Sequence, residues 1–142
     1  METELQVAFD CADPQRVAEF WAEAVEGYAF PPPPDGYTSW ESWAEGENIP
    51  EEERNEMRVL IDQRGKLPNL YFQRVPESKT TKNRLHLDIR VSKGLAGDER
   101  RNRIEEEVTR LTKLGATLVE RRTPPELWVV MADVEGNEFC VI

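Results

Sequence analysis

The chain spells out one order of elements twice. Leu5-Gln6-Val7-Ala8-Phe9-Asp10 alternates apolar and polar residues, and Leu85-His86-Leu87-Asp88-Ile89-Arg90-Val91 does so again in the second half. In each half a helical stripe and then further strand-like runs follow. A fold that accommodates the first half must therefore accommodate a second copy of it, which excludes most architectures before composition is considered.

Period-2 alternation puts Leu5, Val7 and Phe9 on one face of a strand and Gln6, Ala8 and Asp10 on the other. The second copy sets Leu85, Leu87, Ile89 and Val91 against His86, Asp88 and Arg90. In the first half, Asp13 is a natural N-cap and Pro14 suits the first helical position. Val17, Phe20, Trp21, Ala24 and Val25 then repeat at helical spacing, and Gly27 supplies a stop. In the second half, Asp98 is the expected cap, Ile104, Val108, Leu111 and Leu114 form the stripe, and Gly115 ends it. Strands are expected over 57–62 and 69–75, around a Gly65-Lys66 turn, and over 117–120, 128–131 and 137–142. The polar, basic stretch 76–84, with Lys79 and Lys82, reads as a linker. The chain is thus expected to be one domain of two modules, about 1–75 and about 85–142.

Residues 31–58 interrupt the pattern. Pro31 to Pro34 favour an extended polyproline segment, and Trp40 and Trp43 stand among Gly, Ser and Glu before Glu51-Glu52-Glu53. Two readings are open: the tryptophans line a ligand pocket, or they pack the excursion onto its own domain.

Composition narrows the function classes. The 142 residues are 39% hydrophobic and 32% charged, as in a globular domain, and no apolar run approaches the roughly 18 residues of a membrane span. Met1-Glu2-Thr3-Glu4 has neither the basic start nor the apolar core of a secretory signal, so cytoplasmic residence is expected. Cys11 and Cys140 are too few for a disulfide framework and are read as reduced. A net charge of −10 repels phosphate backbones, which argues against a nucleic-acid partner. The same field favours cationic small molecules, although surface acid also serves solubility alone.

Laying the halves on each other matches Gln6 to His86 and Gln73 to Cys140. The apolar face of each strand belongs under its helix, so the opposite, concave face gathers Gln6, Ala8, Tyr71, Gln73, His86, Asp88, Glu138 and Cys140. Burying such polar groups unpaired costs about 1–3 kcal/mol each, so this face is either a ligand-accepting cavity or a satisfied polar network.

The runs Asp13-Pro14 with Phe20-Trp21, Phe72-Gln73-Arg74-Val75-Pro76-Glu77, Arg84-Leu85-His86-Leu87-Asp88, and Asp133-Val134-Glu135-Gly136-Asn137-Glu138-Phe139-Cys140-Val141 resemble the glyoxalase-like branch of the vicinal-oxygen-chelate superfamily. The resemblance covers nearly the whole chain outside 31–58, and its closing motif is the most specific part. It implies an α+β fold of two βαβββ modules forming an incomplete barrel around a cup, and a homodimer. In metal-dependent members, one divalent ion is held by residues on the first and last strands of each module. Carried over by position, these are Gln6, Gln73 (or Tyr71 in a shifted register), His86 and Cys140.

Gln6 and His86 are residue types that the family uses as ligands, whereas the terminal-strand positions are usually carboxylates. Mg²⁺, Mn²⁺ and Fe²⁺ sites normally include a carboxylate, and neutral amides complete a Zn²⁺ site poorly. No cofactor is therefore expected, a divalent metal on Gln6 and His86 being the one candidate. His86 and Asp88 form a network or a base-and-orienter pair, and Cys140 is read as an inert thiol, Arg90 being the one basic residue expected on its face. Glu138 is the candidate acid-base group, its pKa raised by partial burial, or else a partner of Arg90 or a strand-end amide. The expected function is small-molecule binding, of a cationic or aromatic ligand, through Gln6, Tyr71, Gln73, His86, Trp40, Trp43 and Cys140, as in bleomycin-resistance sequestration. The alternatives are a metal-dependent lyase, isomerase or dioxygenase using His86 and Glu138, and a scaffolding module whose cup is filled by its own side chains.

Overall fold

Each alternating segment becomes an edge strand of its own four-stranded sheet. The computed structural model describes residues 1–124 and 127–142, and the chain divides into two compact units, Met1–Ser78 and Lys79–Ile142. The first unit runs β1 (Gln6–Cys11), α1 (Pro14–Ala24), β2 (Tyr28–Ala29), α2 (Trp40–Gly46), a 3-10 turn (Glu51–Glu53), β3 (Met57–Asp62) and β4 (Asn69–Arg74). The second runs β5 (Leu87–Ile89), α3 (Gly97–Lys113), β6 (Thr117–Arg122), β7 (Trp128–Ala132) and β8 (Glu138–Val141).

The sheet orders are β1-β4-β3-β2 and β5-β8-β7-β6. In both, the first and last strands of the unit pair in parallel and the remaining pairs are antiparallel. A parallel pair needs a long crossover, here the helix with the next two strands. The architecture is α+β, two open sheets of the same βαβββ topology.

The cores follow from the helical stripes. Val17, Phe20, Trp21 and Ala24 of α1 are buried with Leu60, Leu70 and Phe72 of the first sheet. Phe9 stacks on Phe72 at 5.0 Å and meets Trp21 at 5.4 Å between ring centroids. In the second unit Ile104, Val108 and Leu111 are buried, as are Val129, Met131, Phe139 and Val141 of the sheet. Glu107 is buried on α3 beside them, its carboxylate held by Arg103 at 3.1 Å and Arg110 at 2.5 Å.

Several expectations are corrected at element ends. Leu5 lies outside β1 and is 79% exposed, because β4 offers partners only from Gln6↔Asn69 onward. Leu85 is 71% exposed for the same reason: β5 is confined to Leu87–Ile89, where β8 supplies a ladder. Ala96, not Asp98, is the N-cap of α3, and Asp98 sits in the first turn, where its charge still favours the helix dipole. The excursion holds a short helix, α2, closed by a reciprocal capping box between Ser39 and Ser42. Two-residue β2, paired with Ile61 and Asp62, is too short to show any periodicity.

The two units are most alike at the turn before their last strand. Asp62 and Asp133 are buried carboxylates at the ends of β3 and β7, each opening the hairpin into the last strand. Asp62 accepts the amides of Arg64 at 3.2 Å, Lys66 at 2.9 Å and Leu67 at 2.9 Å. Asp133 accepts those of Glu135 at 2.9 Å and Asn137 at 3.0 Å. The backbone carbonyl of each takes the amide of a glycine three residues on, Gly65 at 2.9 Å and Gly136 at 3.0 Å. Both glycines have positive φ, +66° and +86°, which other residues adopt at a cost.

Burial alone would raise the Asp62 pKa. The amides of Lys66 and Arg64, the Arg64 guanidinium and the Leu67 amide overcome it and hold the group at about 2. A depressed carboxylate stabilises the fold above its unfolded pKa and loses that contribution as pH falls through the folded value. Asp62→Asn should therefore remove a stability increment that the parent keeps at neutral pH and loses between the ordinary aspartate value of 3.8 and about 2, as read by urea denaturation across that range. Asp133→Ala strands two turn amides and is expected to cost about 1–3 kcal/mol by the same assay; an unchanged midpoint would refute the role given to this turn.

Candidate functional site

Ladder partners share a face, so the registers fix which side chains meet. In the first sheet Ala8 pairs with Tyr71 and Tyr71 with Val59; in the second Asp88 pairs with Cys140 and Cys140 with Val130. Matching the hairpin aspartates, Asp62 with Asp133, makes Val59 the counterpart of Val130 and hence Tyr71 the counterpart of Cys140. Ala8 then matches Asp88, and Gln6 matches His86. The correspondence of Gln6 with His86 is kept, but Gln73 lies one pleat beyond Cys140. Gln73 instead donates from Nε2 to Asp10 Oδ1 at 2.7 Å.

The two copies of this face have different chemistry. In the first unit it carries Gln6, Ala8 and Tyr71, an amide, a methyl and a phenol. In the second it carries His86, Asp88 and Cys140, whose ligand atoms all lie within 4.8 Å of one another. His86 Nε2 stands 3.4 Å from Asp88 Oδ1, with the two side chains 45% and 46% exposed. Cys140 is buried in the central strand β8. Around it, the same face of β7 presents Trp128, Val130 and Ala132, an aromatic and apolar floor.

The Cys140 thiol is pushed up from its ordinary range. Burial is the largest cause, the Asp88 carboxylate adds to it, the Lys82 ammonium opposes it, and a hydrogen bond to Asp88 raises it further. The thiol is therefore protonated at neutral pH, and its basic neighbour is Lys82 rather than Arg90.

Glu138 does not behave as an acid-base group tuned toward neutrality. Burial would raise its pKa, but the Asn83 amide, its own amide and Lys79 bring it below the usual carboxylate value. Asn83 N–H donates to Oε2 at 3.0 Å, and Lys79 Nζ lies 3.1 Å from the same oxygen. Lys79 also donates to the Thr81 carbonyl. Glu138 thus ties residues 79–83 to β8, just ahead of His86, and its partner is Lys79 instead of Arg90. The linker lysines and Asn83 carried no local signal for this, because the contact joins residues 59 apart.

Trp40 and Trp43 meet edge to face at 5.4 Å, and Trp40 Nε1 donates to the Pro31 carbonyl at 2.8 Å. Their contacts latch α2 to the polyproline segment of the same excursion. Trp40 remains 43% exposed.

An amide from Gln6 and a phenol from Tyr71 are a poor pair of donors for a hard divalent ion, so the positional set that the resemblance supplies does not fit one of the kind used in the family.

Comparison with known proteins agrees with the fold. A family model described as a glyoxalase-like domain matches residues 6–142. No curated protein matches the sequence. Among solved structures, the chain is similar to a fosfomycin resistance protein, FosX, from Mesorhizobium loti, with TM-score 0.60, 10% identity, and 99% of this chain and 91% of that one covered. It is similar to a possible glyoxalase from Bacillus cereus, with TM-score 0.60, 14% identity and coverage of 100% and 99%. A glyoxalase/bleomycin resistance protein/dioxygenase family enzyme from Burkholderia phytofirmans PsJN gives TM-score 0.58, 17% identity and coverage of 96% and 94%. Identities this low speak for the fold alone.

The tie at Glu138 makes a checkable claim. Glu138→Gln and Lys79→Ala should each lose about 1 kcal/mol of stability, and each should speed hydrogen exchange at the Asn83 amide. Because the carboxylate is depressed, the parent should lose the same protection on acidification below the ordinary glutamate value of 4.5. An Asn83 amide that exchanges equally in all three proteins would sink the assignment.

Proposed function

From the premise that the chain belongs to the glyoxalase-like domain family, we propose that it binds a small cationic or aromatic molecule on the helix-free face of its second sheet, and holds it rather than transforms it. The observation that carries this reading is the pairing of an apolar, aromatic floor with a convergent polar set. Trp128 and Val130, both partly exposed, offer surface for a flat or hydrophobic body, while the half-exposed His86 and Asp88 offer an imidazole and a carboxylate acceptor. Ligand sites combine these two elements, a mostly apolar lining and a few polar groups that fix orientation.

Charge gives the ligand class. Asp88 stands against the His86 ring at 3.4 Å, and the net charge of −10 draws positive ligands toward the protein. Trp128 adds a face on which a cation or an aromatic ring stacks, worth about 0.5–2 kcal/mol. A protonated Cys140 and an ionised, tied Glu138 supply neither a nucleophile nor a base tuned to neutral pH. That favours sequestration, the mode of the bleomycin-resistance members, over lyase or isomerase chemistry. The cytoplasmic, homodimeric state expected from the sequence and the resemblance belongs to the same proposal. Among the described residues no helix is long and apolar enough to cross a membrane.

Thermal shift and calorimetry against cationic glycopeptides and aromatic amines test the proposal. At least one such class should stabilise the protein and be recovered chemically unchanged. Trp128→Ala and Asp88→Asn should each weaken that ligand by roughly tenfold, about 1.4 kcal/mol. Stabilisation that survives both substitutions, or conversion of the ligand to a product, would overturn the reading.

A further inference from the structure

The donors missing from the family's positional set have a replacement inside the second unit. We propose that His86, Asp88 and Cys140 form a divalent-metal site within one module, with Asp88 as its carboxylate, and that this site selects thiophilic ions of the Zn²⁺ class over Mg²⁺ and Mn²⁺.

The backbone puts the three donors together. Asp88 and Cys140 are direct partners in the parallel ladder between β5 and β8, so their side chains leave the sheet side by side on one face. His86 precedes Asp88 by two residues and shares that face, with Nε2 3.4 Å from Asp88 Oδ1. All three ligand atoms fall within 4.8 Å of one another, the only such group of three or more His, Cys, Asp or Glu among the described residues. A tetrahedral Zn²⁺ ion, with bonds of roughly 2.0–2.3 Å, holds its ligands somewhat closer than this. The adjustment falls on His86 and Asp88, which are half-exposed, while Cys140 is anchored in the core strand.

Donor chemistry gives the selectivity. A thiolate and a carboxylate neutralise a dication, an imidazole completes a set of three, and the exposed side of the group leaves a fourth position to solvent. Thiolate and imidazole suit Zn²⁺, whereas Mg²⁺ and Mn²⁺ favour oxygen donors. On binding, the thiol proton passes to solvent. The first unit cannot provide a twin, since its corresponding residues are Gln6, Ala8 and Tyr71. The inference goes beyond the ligand reading and is tested without any organic ligand.

Equilibrium dialysis of chelator-stripped protein against Zn²⁺, Mn²⁺ and Mg²⁺, followed by metal analysis, is the first measurement. It should return one Zn²⁺ per chain and no stoichiometric Mn²⁺ or Mg²⁺. Co²⁺ used as an optical stand-in should give a thiolate-to-metal charge-transfer band that Cys140→Ser abolishes. Asp88→Asn and His86→Ala, both at half-exposed positions and checked for folding by circular dichroism, should each weaken Zn²⁺ by roughly tenfold or more. Gln6→Ala and Tyr71→Phe should leave its affinity unchanged. Absence of bound Zn²⁺, a Zn²⁺ affinity indifferent to Asp88→Asn, or one lost in Gln6→Ala would each overturn the proposal.

Discussion

The arrangement rests on a buried aspartate at the mouth of each closing hairpin. Asp62 and Asp133 gather amides of the turn that follows them and so fix where the last strand of each unit begins. A slip of one residue there would turn every side chain of β4 or β8 to the opposite face. Since the last strand is also the one that pairs with the first, the same carboxylate indirectly decides which residue stands beside Ala8 and which beside Asp88. Backbone amides that would otherwise be stranded in a tight turn are satisfied in the same step.

With the registers fixed in this way, the duplication preserves topology and discards chemistry. Both units place a small set of residues at equivalent points on the helix-free face, but one set is Gln6, Ala8 and Tyr71 and the other is His86, Asp88 and Cys140. The buried faces changed less, because large apolar residues there are held in place by packing: Leu60 matches Met131 and Leu70 matches Phe139, all of them buried. An open face is under no such constraint, and the two copies were free to diverge on it.

Electrostatics separates the two acidic groups of the second unit. Glu138 and Asp88 leave the sheet on one face, yet Glu138 is closed off by the Asn83 amide and the Lys79 ammonium, while Asp88 faces the His86 ring and the Cys140 thiol. A carboxylate whose acceptor positions are filled by an amide and an ammonium acts as a structural tie. One left half-exposed beside an imidazole and a thiol is available to a ligand or an ion.

The sequence by itself determined the repeat, the faces of the strands, both helical stripes and the membership of the closing motif, because period and turn chemistry are local. For the same reason it set Gln6 opposite the packed face of the first sheet, and His86, Cys140 and Glu138 opposite that of the second. It did not show β2, which is too short for a period, or the start of α3, where Ala96 took the cap that Asp98 seemed suited to. Whether Leu5 and Leu85 belonged to their strands was settled by the reach of a partner far along the chain. Only the tertiary structure decided that Tyr71 and not Gln73 matches Cys140, that Asp88 stands with His86 and Cys140, and that Glu138 holds Lys79. Each of these depends on strand register or on a contact between distant residues, and neither leaves a trace in local periodicity.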